Sequence, residues 1–244
     1  GQLVSEINTD SVYRLYALQY PQQDILHQKY VSNTRIYFGK RNLKMVYAYQ
    51  ENVRKGMATE FQRNAPDLWM RLRTGTYQLQ LNGESAKQIS WSIGSSGMLQ
   101  ASKNFGAEEL IADYRLLDVG MYGLLYGNWK SLYWQGGLRY DHRWMEWQSN
   151  QKEFGGVSGS IGSSYQFAKS HYVKVNVSKG YRAPNAAELT SNGVHEGALR
   201  YEIGNARLKP ESSIQTDVQL MLNWSHFSLT SSLFQNNVNN FIYI

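Results

Sequence analysis

Leu43, Met45, Tyr47 and Tyr49 alternate with Lys44, Val46, Ala48 and Gln50, and this two-residue rhythm returns along most of the chain. Val173, Val175 and Val177 alternate with Lys174, Asn176 and Ser178. Ile214, Val218, Leu220 and Leu222 share one side of a ribbon whose other side carries Gln215, Asp217, Gln219 and Asn223. Successive side chains of a strand point to opposite faces, so the alternation sets one face against an apolar phase and the other against water. Helical spacing fits none of these stretches. The pattern predicts strands at 11–19, 30–38, 42–51, 69–81, 86–98, 113–126, 130–143, 155–168, 171–181, 212–224 and 227–243.

The connections alternate too. Long ones are expected near 20–29, 52–68, 99–112, 144–154 and 182–211, and short ones at 39–41, 82–85, 127–129, 169–170 and 225–226. All four prolines, at 21, 66, 184 and 210, fall in the long set, where a missing N–H costs no ladder bond. An antiparallel meander with short turns at one end and long loops at the other is the layout of an outer-membrane barrel. Greek-key crossings of a soluble sandwich would break that alternation. Several predicted runs also exceed the strand length of about 5–6 residues usual in globular sheets, and a tilted membrane strand needs about 9–11. The fold class expected is all-β: an antiparallel meander of about ten to eleven strands, part of a large transmembrane β-barrel.

The faces differ in chemistry. Ser158, Ser160, Gly162, Ser164 and Gln166 lie opposite Val157, Ile161, Tyr165 and Phe167, and Gln135, Arg139, Asp141 and Arg143 lie opposite Trp134, Leu138 and Tyr140. A charged face behind a Trp/Leu/Tyr row suits a wide barrel with a wet bore. Arg139, Asp141, Lys174, Asn176 and Asp217 are the residues expected to face that bore. The plainer reading is a half-exposed sheet of a soluble protein. Trp129, Trp134 and Trp224 at short turns, with Trp69, Trp144 and Trp147 beside long loops, resemble the two interfacial girdles of a barrel. Trp is also simply common at strand ends.

Composition narrows the classes. Among the 244 residues there are 18 Tyr, 7 Trp and no Cys, which removes disulfides and thiol-ligated metals. The net charge of +6 is scattered, with no basic run, so nucleic acid is not an expected partner. No stretch reaches the ~18 consecutive apolar residues of a membrane helix. No nucleophile elbow, zinc-protease helix or phosphate loop is present, so no enzyme and no catalytic residue are expected. Asp113 and Asp118 are expected on one strand but on different faces, hence not a carboxylate pair. His195 beside Glu196 lacks a second His or Cys at ligand spacing, so neither a metal nor a cofactor is assigned.

One connection stands apart. SKGYRAPNAAEL followed by NGVHEGALRYEIGNARLKPE resembles the best-kept segment of TonB-dependent outer-membrane receptors, in the version with His195 and Gly204-Asn205 found in Bacteroidetes-type members. GLRYDH at 137–142 and FQNNVNNFIYI at 234–244 resemble two strands of the same family. The resemblance implies a large barrel in the outer membrane, filled by an N-terminal plug and energised through the TonB complex. It also implies import of a scarce ligand such as an iron–siderophore complex, haem or cobalamin. Residues 1–244 are expected to be a partial barrel domain, about half a wall, without plug or C-terminal strands. TonB would then act through the absent plug region, and outer-membrane lipid would surround the wall. A lone half-barrel is expected to self-associate through its open edges. The competing classes are a soluble extracytoplasmic glycan-binding β protein and a passive porin-like channel.

The residues of this connection support a built loop. Tyr181 and Arg182 leave a strand, and Pro184 stops its ladder. Asn185 is expected to cap one helical turn over 186–189. Gly193, Gly197 and Gly204 are expected to supply positive φ. Arg200 and Glu202 share a face across Tyr201, and Pro210 and Glu211 restart the sheet. Through the resemblance, Tyr181, Arg182, Pro184, Asn185, Glu188, Asn192, His195, Arg200, Tyr201, Glu202, Asn205 and Glu211 are the candidate ligand or plug contacts. The plainer reading is a rigid motif that braces the wall.

Overall fold

Two-residue alternation becomes ten long antiparallel strands in a computed structural model that describes residues 22–57, 65–85, 88–195 and 200–243, with backbone alone at 194, 195 and 200. They are β1 (Gln22–Phe38), β2 (Arg41–Met57), β3 (Leu68–Glu84), β4 (Ile89–Asn104), β5 (Tyr114–Trp129), β6 (Leu132–Trp147), β7 (Asn150–Ala168), β8 (His171–Arg182), β11 (Glu211–Asn223) and β12 (Ser228–Asn239). Between β8 and β11 lie α1 (Ala186–Thr190) and the small hairpin β9 (Asn192–His195) and β10 (Arg200–Ile203). The sheet order is β1-β2-β3-β4-β5-β6-β7-β8-β11-β12, so each long strand pairs with the next long strand in sequence. The expected meander is what forms. The expected strand at 11–19, residues 58–64 of an expected loop, and Gly197 lie outside the described residues.

Most strands are longer than the alternation suggested, whereas the one expected at 227–243 is shorter and ends at Asn239. The long connection expected at 20–29 is strand from Gln22 onward, β2 runs on to Met57, and β4 runs on to Asn104. The largest departure is at 144–154, expected to be a long loop, where Gln148 and Ser149 alone join β6 to β7. Gln148 takes a left-handed φ of 49° to make that turn. The cause is physical: past the apolar band the outer face turns polar at Glu146, while Met145, Trp147 and Phe154 on the other face are buried, so the regular alternation is lost while the backbone ladder continues. The long connections that remain are 58–67, 105–113 and 183–210, all at one end of the sheet. The short turns at the other end are 39–40, 85–88, 130–131, 169–170 and 224–227.

One face carries an apolar band. On β4 it runs from Leu99 to Ile89, on β5 from Leu117 to Gly127 and on β6 from Trp144 to Trp134, all in register. Leu99, Met121, Leu138 and Ile161 on this face are each more than 60% exposed, which suits side chains facing lipid. Ten residues at about 3.3 Å each, tilted by about 40°, give a band about 25 Å tall, the height of a barrel's lipid-facing belt. Trp91 lies against Gly83, and Trp134 against Gly127, where a Cβ would meet the rings at 2.4–3.0 Å. At the other border Trp69 packs on Phe105 with centroids 5.3 Å apart, and Lys55 Nζ sits 4.8 Å over Trp69. Trp147 does not join this girdle: it is 5% exposed and points to the opposite face.

That opposite face is polar along the middle of the strands and apolar at the long-loop rim. Leu116, Met145, Trp147 and Phe154 of the wall pack there with Ala112 and Tyr114, and Ala186 and Leu189 of α1 close over them.

Candidate functional site

The described residues of the connection between β8 and β11 form a folded cap, not a trailing loop. Asn185 Oδ1 accepts from the Glu188 N–H (2.9 Å) and the Glu188 carboxylate accepts from the Asn185 N–H (2.8 Å). This reciprocal capping box fixes the start of α1. The Glu188 carboxylate also takes both oxygens to Arg182 Nη1, at 2.9 and 3.0 Å. Arg182 Nε donates to Glu211, and Glu211 Oε1 accepts from the Ile242 N–H at 2.5 Å. Arg182 therefore ties the end of β8 to both the helix and the start of β11. This pair lies beyond Lys179, the first charged position above the apolar side of β8, and the guanidinium holds the Glu211 carboxyl below its ordinary range.

Farther along, Gly204 N–H donates to Ser191 O (2.6 Å) and Asn205 N–H to Glu188 O (2.8 Å), pinning the return of the chain to the helix C-terminus. A Cβ on Gly204 would stand 2.6 Å from Thr190 N and 2.7 Å from Ser191 N. The expected positive φ at Gly193 and Gly204 is not what is used, since among the described glycines Gly39 alone has it. Gly204 is needed for close backbone approach instead. Asn192 N–H donates to Leu110 O at 3.0 Å, so the cap reaches the β4–β5 connection. Tyr201 Oη donates to Asn192 Oδ1 (2.9 Å), and Asn205 Oδ1 accepts from the Arg207 N–H (2.9 Å).

Below the cap the polar face holds two interlocked ion pairs. Arg139 Nε lies 2.8 and 2.7 Å from the two Asp141 oxygens, and its Nη2 donates to Ser96 Oγ at 3.1 Å. Arg143 grips Asp118 through Nε and Nη2, both at 2.7 Å, and its Nη1 donates to Pro184 O at 2.9 Å. Arg143 thus joins wall to cap, while Pro184 itself is fully buried. Gly120 leaves the room: a Cβ there would collide with the Arg139 guanidinium and Asp141. Tyr181 covers Gly156, and its hydroxyl is buried without a hydrogen-bond partner. Arg139, Asp141, Arg143, Asp118, Tyr181 and Gln78 line a cavity of about 650 Å³ on this face.

The sequence candidates therefore divide. Arg139 and Asp141 meet Tyr181 and Arg182 at the cavity. Lys174, Asn176 and Asp217 share the polar face by register but sit lower on β8 and β11, with Asp217 Oδ1 accepting from Gln215 Nε2 at 2.9 Å. Asn185, Glu188, Asn205 and Glu211 hold the cap together. Glu202 lies opposite Gly193, and His195 opposite Arg200, within the small hairpin. Asp113 lies ahead of β5, not on it, bound by Asn104 N–H at 2.6 Å. Asp118 was missed as a partner of Arg143 because the β5–β6 turn is at 130–131, not at the expected 127–129. That shift moves Asp118 from opposite Leu138 to opposite Arg143, and an odd slip changes the face.

A family profile described as "TonB dependent receptor-like, beta-barrel" matches residues 5–244. Among solved structures, the chain resembles the Serratia marcescens hemophore receptor HasR in complex with its hemophore HasA and heme. The TM-score is 0.67 at 14% identity, over 90% of this chain and 40% of that one. The alcaligin outer-membrane receptor FauA of Bordetella pertussis gives 0.65 at 13% identity, over 88% and 37%. A structure described as the copper transporter OprC gives 0.63 at 15% identity, over 90% and 39%. The chain thus spans about two fifths of the length of these solved receptors.

Proposed function

Because the chain belongs to the TonB-dependent receptor β-barrel family, whose members are outer-membrane transport receptors and not enzymes, we propose that it forms part of the wall of an active importer for a scarce ligand. In this reading an iron–siderophore complex, haem or cobalamin crosses the bore, and energy reaches it through TonB acting on a plug domain. The observation that carries the reading is the cap. Pro184 and α1 fold over the polar face and are locked by Arg143 and Arg182, which gives the bore a fixed rim against which a plug and a ligand can be held. A porin-like channel needs an open mouth more than a built one.

The receptors of similar fold carry different cargo, and their identity to this chain is below 16%. The ligand is therefore addressed directly: a strain lacking the gene is grown with iron–siderophore, haem or cobalamin as the limiting source. Loss of growth on one source, restored by the full-length gene but not in a strain without TonB, is the expected result. Unchanged growth on all three sources, or rescue independent of TonB, overturns the reading.

A further inference from the structure

The lipid-facing side of the wall changes character at one row. Directly above Tyr49, Gly75, Leu99, Leu117 and Trp144 come Glu51, Arg73, Ala101, Arg115 and Glu146, paired strand to strand across β2–β6. One row higher, Arg71 of β3 faces Lys103 of β4. Ala101 is the small residue in the middle, with Arg73 and Arg115 on either side of it and the Arg71–Lys103 pair above.

The resulting hollow holds about 490 Å³ and is lined by four cations, Arg71, Arg73, Lys103 and Arg115, and by the two carboxylates Asp113 and Glu146. It adjoins a second cavity of about 670 Å³ lower on the same face, and the two share Arg73, Ala101, Arg115 and Glu146. The lower cavity is lined by Tyr49, Leu99, Leu117 and Trp144, with Leu99 64% exposed. The carboxylates nearby are mostly engaged. Glu51 is bound to Arg73 at 2.6 Å, and Asp113 is held by Asn104. Lys103 and Arg115 are exposed and make no salt bridge among the described residues. Glu146 remains as the carboxylate opposite Arg115.

We propose that this paired hollow and groove bind one phosphorylated lipid of the surrounding leaflet. Its phosphate sits over Ala101 among Arg73, Lys103 and Arg115, and an acyl chain lies along Leu99, Leu117 and Trp144. The chemistry matches at both ends. Guanidinium and ammonium groups at headgroup height attract phosphate, and the apolar groove begins one row below, where hydrocarbon begins. The inference rests on the outer-membrane reading, because only there does this face meet lipid.

The test uses the full-length receptor, extracted from outer membranes in mild detergent, with retained phospholipid and lipid A counted per protein by native mass spectrometry. Wild type is expected to keep one phosphorylated lipid. The double variant Lys103→Ala/Arg115→Ala is expected to lose it at least about tenfold, since each surface cation near anionic lipid contributes several-fold. Ala101→Trp, which fills the hollow without changing charge, is expected to lose it as well, and Glu146→Gln to keep it more tightly. Heat-dependent gel mobility reports the folded barrel for each variant. Equal retention by wild type, the double variant and Ala101→Trp overturns the proposal. So does release of the lipid by millimolar inorganic phosphate with phosphate bound in its place, which makes this a free-phosphate site. A receptor found in the outer-membrane fraction with no retained lipid sinks this inference alone, whereas absence from that fraction sinks the proposed function too.

Discussion

The polar face of β5–β7 contains two environments a few residues apart. At the rim, Met145, Trp147, Leu116 and Phe154 form a dry cluster under α1, and Met145 is fully buried. Two to six residues lower on the same strands, Arg139, Asp141 and Asp118 line an open cavity. Both sets alternate with lipid-facing residues in the same way. A two-residue period therefore tells which side a residue takes, but not whether that side is wet at its height. The cap decides that, and the cap arrives from a connection far along the chain.

Emptying the dry cluster should have the largest effect. Met145→Ala is expected to lower barrel stability by about 2–5 kcal/mol, as for other fully buried large-to-small changes. Urea unfolding in lipid vesicles measures it, and proteolysis within 183–210 should rise in parallel. Lipid-facing Leu138→Ala, at 65% exposure, should cost far less, and equal losses would erase the distinction between the two sides.

The two arginines come next. Arg143 joins Asp118 to Pro184 O and is less exposed than Arg139, with 18% of its side chain accessible against 34%. Arg143→Ala should cost about 2 kcal/mol, less than a fully buried pair because water still screens it. The double variant with Asp118→Asn should recover part of that loss by removing the stranded charge. Arg139→Ala should cost less than half as much in the same assay. The reverse order would mean that the wall, not the cap, sets the energetics.

A smaller effect is expected at the helix start, where Asn185→Ala removes one half of the capping box. About 1 kcal/mol is the usual cost, read here as faster cleavage of the cap with little change in global unfolding. Least is expected from acid. The Glu211 carboxyl is depressed by Arg182, so its contribution is complete above the ordinary carboxylate value of about 4.3 and fades as pH falls through the lower folded value. Hydrogen exchange at the Ile242 amide, which donates to Glu211, should rise in that acid window. The same rise in Glu211→Gln already at neutral pH would tie the effect to this carboxylate.

Much of this architecture was legible in the residues. Alternation located the lipid side, proline placement located the long-loop end, and Asn185 announced the capped turn, although its reciprocal partner Glu188 did not stand out. Turn positions were harder, because Lys130 and Gln148 occupy left-handed conformations more usual for glycine or asparagine. Misplacing one turn by a few residues hid the Asp118–Arg143 pair. The rim cluster was hidden for another reason: Met145 and Trp147 sit at polar-face positions, and nothing local to β6 reveals that α1 will cover them.

The two-residue link at Gln148 and Ser149 makes the parapet uneven. Flanked by taller connections, it forms a saddle in the rim, and the neighbouring segment leans across that dip until Asn192 reaches Leu110 two hairpins away. A longer link there would stand in its path. Lengthening it by a few residues should therefore lift the lid from its seat without touching any residue of the seat itself.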